Sequence, residues 1–346
     1  MKKFGIIATV LAVTFTLAAC GGKDNKPAAA EANSTNSQQT EAAADPIKIK
    51  IADTSTNPVF RVAKNKGFLE KYGIDAEIIT FATPAEGINS LFIKQADIGW
   101  GADFPSLNAV SKGEFSIIGA TGTDTEASAA QWKLFVRDDI QSAADLKGKK
   151  LSTLRGTFLP YLWEVYLKDN GVAVDDTKQI GQGGFDEAFV ALKKGEIDAT
   201  WVVGATLIDK FKAIEGVHEL TDMSKTSIRI GGTLIAPNSL IKDHPQAIAN
   251  FLKALDETSK YIAANPDETA DILFKETKQP KEATIRDLAT NNWNIGFTQE
   301  SFDSLTNQKD YMVGAGIIKQ DFNLADKLSL GGLQQALPDS FTYKQE

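Results

Sequence analysis

From Ile47 onward the chain alternates between two hydrophobic rhythms. Ile47, Ile49 and Ile51 repeat with period two, which predicts a strand with one buried face. Asn57-Pro58 reads as a helix start with proline at the first helical position, and the helix is expected to run to about Lys71 before Gly73 stops it. Ile74, Ala76 and Ile78 alternate as a second strand. Thr83-Pro84-Ala85-Glu86 has the spacing of a capping box and opens a helix expected to end near Lys94. Ile98-Gly99-Trp100 then reads as a short buried strand. The order βαβαβ calls for parallel strands joined by crossover helices.

The same pattern recurs further along. Glu86, Ile88, Leu91, Asp97 and Trp100 match Glu187, Phe189, Leu192, Asp198 and Trp201, with Glu to Asp eleven residues and Glu to Trp fourteen in both copies. Leu69 to Ile74 likewise answers Leu167 to Val172. The repeat predicts an α/β fold of two equivalent lobes, each an open, mostly parallel sheet flanked by helices. Residues 46–131 and 237–346 are expected to form the first lobe and 132–236 the second. The chain would cross between them at Trp132–Val136 and Ile230–Ala236, where Gly231 and Gly232 favour a hinge. Strand carboxyl ends and helix amino ends converge on one edge of such a sheet, and two facing edges make a cleft that closes on a small molecule. The last third reads as helices packed on the first lobe. Pro245 opens one with Ile248, Phe251, Leu252, Leu255 and Ile262 on a single face, Asn265-Pro266 begins the next, and Phe302, Leu305 and Met312 stripe another.

Composition removes several functions. The 346 residues are 42% hydrophobic and 24% charged, which suits a globular two-lobed body. A formal charge of −8 without a basic tract argues against nucleic acid as a partner. Cys20 is the only cysteine, so neither an intrachain disulfide nor a cysteine zinc cluster can form. The two histidines, His218 and His244, belong to no H-E-x-x-H, and neither G-x-S-x-G nor a Walker loop occurs. Gly181-Gln182-Gly183-Gly184 starts like a dinucleotide fingerprint, but Asp186 stands where the third glycine belongs, so it reads as a turn. Neither a metal, a cofactor nor a covalent reaction is expected.

The amino terminus reads as an address. Lys2 and Lys3 precede the uncharged run Phe4 to Leu17, which is shorter than a membrane span and is expected to be the core of a signal peptide over 1–19. Leu17-Ala18-Ala19-Cys20-Gly21 resembles the lipobox of bacterial lipoproteins, which implies lipidation of Cys20. Residues 21–45 carry no aromatic side chain and no Val, Ile or Leu, and read as a flexible tether. The expected location is the extracytoplasmic face of the cell membrane, with the lipid as anchor.

Several stretches in fixed order complete the picture: Ala63 to Glu70, Gln95 to Gly101, Asp145 to Leu151, Lys194 to Trp201, and the helix opened by His244-Pro245. Together they resemble the solute-binding lipoproteins of ABC importers for sulfonates, taurine and nitrate, whose relatives bind thiamine pyrimidines and riboflavin. The resemblance covers roughly 47–280. It implies the two-lobed periplasmic-binding fold (type II), a monomer, and an ABC permease with its ATPase as partners. The implied ligand is a small organic anion, an aliphatic or aromatic sulfonate or a taurine-like molecule, with a heterocycle as the alternative.

The resemblance also implies contacts from the loops after the strands. These are Thr54, Ser55 and Asn57; Thr83 and Ala85; Asp103 and Phe104; Arg155, Thr157 and Phe158; and Gly232 where the chain returns. Helix amino ends after Thr83, Asp103 and Thr157 suit an oxyanion, and Arg155 adds charge-assisted bonds. Thr83 reads first as a cap. Trp100 and Trp201 read either as an apolar wall for the ligand or as packing beneath the loops. Many relatives place an acidic residue after the second Trp, whereas Val202-Val203-Gly204 follows here, so a partner for a ligand's ammonium group is missing from that stretch.

Overall fold

The alternating isoleucines form β1 (Ile47–Thr54), the first strand of a computed structural model that describes residues 46–121, 125–154 and 156–344. The readings for 1–45, including the signal peptide, Cys20 and the tether, and the reading for Arg155 lie outside the described residues. Among the described residues no helix is long and apolar enough to cross a membrane.

The helix expected over 57–71 is two helices, α1 (Val59–Asn65) and α2 (Phe68–Lys71), because Gly67 between them sits at φ 72°, a left-handed conformation that interrupts the helical run. They lead to β2 (Ile74–Phe81), α3 (Pro84–Ser90), β3 (Ile98–Ala102), α4 (Asp103–Val110) and β4 (Phe115–Thr121). The capping reading of Thr83 holds, since its Oγ1 accepts the Glu86 amide at 3.2 Å. The Glu86 carboxylate returns to the amide of Ala82, one residue before the cap, at 3.1 Å. After α5 (Glu126–Ala129) come β5 (Lys133–Arg137), β6 (Lys150–Leu154), α6 (Leu159–Asp169), β7 (Lys178–Gln182), α7 (Phe185–Lys194), β8 (Ala199–Val202), α8 (Ala205–Lys212) and β9 (Val217–Asp222). The chain then returns through β10 (Gly232–Pro237), α9 (Asn238–Asp243), α10 (Pro245–Ala264), α11 (Pro266–Thr277), α12 (Lys281–Leu288), β11 (Ile295–Gly296), α13 (Gln299–Gly314) and α14 (Gly331–Ala336).

Two sheets result, ordered β11-β4-β10-β3-β1-β2 and β7-β6-β8-β5-β9. In each, one central strand has parallel neighbours on both sides: β1 pairs with β2 and β3, and β6 with β7 and β8. The sheets are mixed rather than mostly parallel. β10 is antiparallel to β3 and β4, and β5 is antiparallel to β8 and β9, because a chain that leaves or re-enters a sheet at its rim must run back down it. The stretches read as hinges are largely these paired strands. The connections between sheets lie between β4 and β5, described over 125–132, and between β9 and β10 at 223–231.

The repeat is structural. Asp97 accepts the Lys50 amide at 2.8 Å, and Asp198 accepts the Lys150 amide at 2.8 Å, so each aspartate ties the strand it precedes, β3 or β8, to its sheet's central strand. Gly73 and Gly171 turn the chain at φ 75° and 71°. One large apolar core runs through both sheets, from Ile49, Phe60 and Phe251 to Trp163 and Trp201, and a smaller one holds Phe135, Leu192 and Phe211. Each fully buried side chain of this size contributes roughly 1.5–3 kcal/mol. On α10, Ile248, Phe251, Leu252, Leu255 and Ile262 are buried as the 3.6-residue pattern requires.

Candidate functional site

At the rim of the first sheet, β1 ends in Thr54, which is buried, and Ser55, which is exposed. Asn57 is only 2% exposed and its Oδ1 accepts the Val59 amide at 2.9 Å, so it caps α1. Beneath this loop lies a buried ionic cluster that the sequence reading missed. The Arg61 guanidinium stands 3.4 Å from Asp53 and 3.6 Å from Glu276. It donates to the Thr54 carbonyl at 3.2 Å and to Thr80 Oγ1 at 2.9 Å. Burial pushes the Asp53 carboxyl up to about 7, against the pull of Arg61.

Asp103 opens α4 but is 2% exposed, accepting the Gly231 amide at 3.1 Å and the Gln308 amide group at 2.7 Å. It ties the returning chain and α13 to the end of β3. Phe104 is buried against Tyr161 of α6 and Tyr311 of α13, at 6.2 and 6.0 Å between ring centres, and the two tyrosines are 4.9 Å apart. Burial, with the nearby Glu164 carboxylate, pushes the Tyr311 hydroxyl up to about 12.

At the rim of the second sheet, Thr157 donates to the Leu154 carbonyl at 2.8 Å and accepts the Leu159 amide at 3.3 Å, which makes it a turn and cap residue. Phe158 is 2% exposed and meets Trp132 edge to face at 4.8 Å. Trp201 is fully buried between Trp163 and Tyr166, at 5.8 and 5.5 Å. Its counterpart differs. Trp100 is partly buried, 6.4 Å from Trp293, and lies over Gly232, where an added methyl would fall 2.8 Å from its Nε1.

The two rims touch. A methyl on Gly156 would stand 3.8 Å from the Ala85 Cβ, joining the loop after β6 to the start of α3. Tyr161 leans from α6 onto Phe104 and Tyr311. On another flank, Asp287 of α12 accepts the amide of Ala205, the first residue of α8, at 2.9 Å, and Arg286 pairs with Asp209. Asp287 thus brings a carboxylate to the residue that opens α8. A cavity of about 280 Å³ opens between α6, the returning connection and α13, lined by Tyr161, Ser227, Arg229, Asp303 and Gln308 among others. A second, of about 510 Å³, lies away from the rims between α10 and the 336–340 segment. His218 lies 3.4 Å from Asp138 on β9 and His244 is exposed between α9 and α10, so neither histidine belongs to the rims.

Known proteins share this architecture. A protein of Bacillus subtilis named for aliphatic sulfonate binding is 26% identical over 298 residues, covering 84% of this chain and 83% of its own. The crystal structure of the periplasmic aliphatic sulphonate binding protein SsuA from Escherichia coli superposes with a TM-score of 0.72 at 17% identity, covering 82% of this chain and 98% of that one. The desulfurization enzyme DszB, solved with biphenyl-2-sulfinic acid, has the same fold, with a TM-score of 0.64 at 14% identity over 84% of this chain and 99% of its own. At these identities the two structures establish the two-lobed periplasmic-binding fold alone. The family described as NMT1/THI5 like matches residues 57–269, well over half of the sequence, and the chain belongs to it.

Proposed function

We propose that the protein is the extracytoplasmic substrate-binding component of an ABC importer and captures a small organic sulfonate between the rims of its two sheets. The observation that carries this is the meeting of two equivalent rims, at Ala85 with Gly156 and at Phe104 with Tyr161, in a chain whose 26%-identical relative is named for aliphatic sulfonates. The lobes we propose are 46–121 with 232–344 and 133–222, moved from the bounds read in the sequence because β10 belongs to the first sheet, with the connections between them serving as hinge. Arg155, next to the end of β6 in sequence, is proposed as the cation for the sulfonate. A permease and its ATPase are the proposed partners, and lipid on Cys20 the proposed anchor of a monomer. Binding is the whole proposed activity. DszB shows that the fold also carries chemistry, but residues 46–344 of this chain contain no cysteine nucleophile. Asp287 beside Ala205 favours a second reading, a sulfonate that also bears an ammonium group.

Differential scanning fluorimetry of the full chain against ethanesulfonate, taurine, benzenesulfonate, a thiamine pyrimidine and riboflavin tests the reading. A sulfonate at about 100 times its Kd should stabilise the fold by about 2.7 kcal/mol through linkage. A melting point unmoved by every sulfonate would overturn the ligand class, and a shift by a heterocycle alone would replace it.

A further inference from the structure

We infer that Arg61 is a positioning residue for the ligand loop at the end of β1, and that Asp53 beneath it makes the grip on an anion depend on pH. The inference rests on the proposed capture of a sulfonate at this rim. Arg61 is 5% exposed and Asp53 1%. One guanidinium nitrogen of Arg61 reaches the Thr54 carbonyl and Thr80 Oγ1, tying the rim ends of β1 and β2 together. The groups facing Asp53 are few: Arg61 from α1, Glu276 from α11, and the Thr54 amide and Asn57 side chain from the loop itself. Neither carboxylate oxygen of Asp53 makes a full hydrogen bond, and Asn57 Nδ2 is buried without an acceptor. A buried carboxyl so thinly compensated changes protonation far more readily than a surface aspartate.

The direction follows from charge. With Asp53 protonated, Arg61 faces only Glu276, and the ground under the loop is less negative. With Asp53 ionised, a full negative charge lies beneath the place where an anion would sit, and Asn57 Nδ2 is drawn inward to it. Anion affinity therefore falls as pH rises through the titration of Asp53, by roughly three- to tenfold for one added negative charge under the loop.

Isothermal calorimetry with ethanesulfonate, which stays anionic throughout, at about pH 6 and about pH 8 reads this directly. Wild type should bind more weakly at the higher pH, and Asp53→Asn should bind equally at both. A pH-independent wild type, or the same slope in Asp53→Asn, overturns the inference while leaving the proposed function intact. Should neither ethanesulfonate nor benzenesulfonate bind at either pH, the functional reading fails. Hydrogen exchange then decides the positioning claim alone. The double variant Asp53→Asn with Arg61→Met removes both charges with little change of volume and is expected to fold. It should lose amide protection across Thr54–Asn57, and protection equal to wild type would overturn the claim. Arg61→Lys keeps the charge but cannot span both oxygens, so it should keep the pH slope and lose protection.

Discussion

At Gly232 the packing leaves no room for a methyl group: it would lie 2.5 Å from Thr121 Oγ1 and 2.8 Å from Trp100 Nε1. Gly232→Ala should therefore cost about 1–3 kcal/mol, as overpacking does, and shift Trp100 fluorescence; urea unfolding checks both. Asp53 leaves its own mark on stability. Its carboxyl is raised from 3.8 to about 7 in the fold, so its contribution is complete below about pH 3.8 and lost as pH rises through about 7. Asp53→Asn should flatten the fall in melting temperature across that window. An unchanged slope would mean the group titrates normally. Thr83 was legible as a cap from its neighbours, because capping is decided within four residues. Asp53 was not, because its partners Arg61 and Glu276 arrive from α1 and α11.

Elements answer to the same distinction. The repeat places Asp97 and Asp198 in matching roles, each just before β3 or β8 and each accepting a lysine amide of the central strand at 2.8 Å. Asp97→Ala and Asp198→Ala should each cost about 0.5–1.5 kcal/mol, the net worth of one hydrogen bond. Equal losses in chemical denaturation would match the duplicated geometry, and a loss confined to one variant would contradict it. The strands were readable because alternation in β1 and β2 reports burial locally. The direction of β5 and β10 was not, since a strand's own pattern is the same whichever way its neighbour runs. The matching tryptophans diverge for a similar reason. Trp201 meets Trp163 and Tyr166 of α6, whereas Trp100 meets Trp293 from the segment before β11.

Across the whole molecule, a few polar and aromatic pairs join the two sheets in addition to the apolar core they share. Asp287 with Ala205, Arg286 with Asp209, and Tyr161 with Phe104 and Tyr311 join them away from the connecting segments. Burial raises the Asp287 carboxyl, opposed by the Ala205 amide it accepts. Asp287→Ala should shift the protein towards an open form and weaken ligand binding about tenfold, the equivalent of one such bond at about 1.4 kcal/mol. Small-angle scattering of the ligand-free variant should then give a larger radius of gyration, and an identical curve would remove Asp287 from closure.

The amino-acid sequence by itself determined the βαβαβ unit, its duplication, the helical last third and the family to which these belong, because periodicity and capping are set by residues within a few positions of each other. Only the tertiary structure decided that Asp103 anchors the returning chain, and that Arg61, Asp287 and Tyr311 stand at the rims. Those roles depend on which side chains meet across elements far apart in the chain, and burial and charge there are properties of the assembled fold.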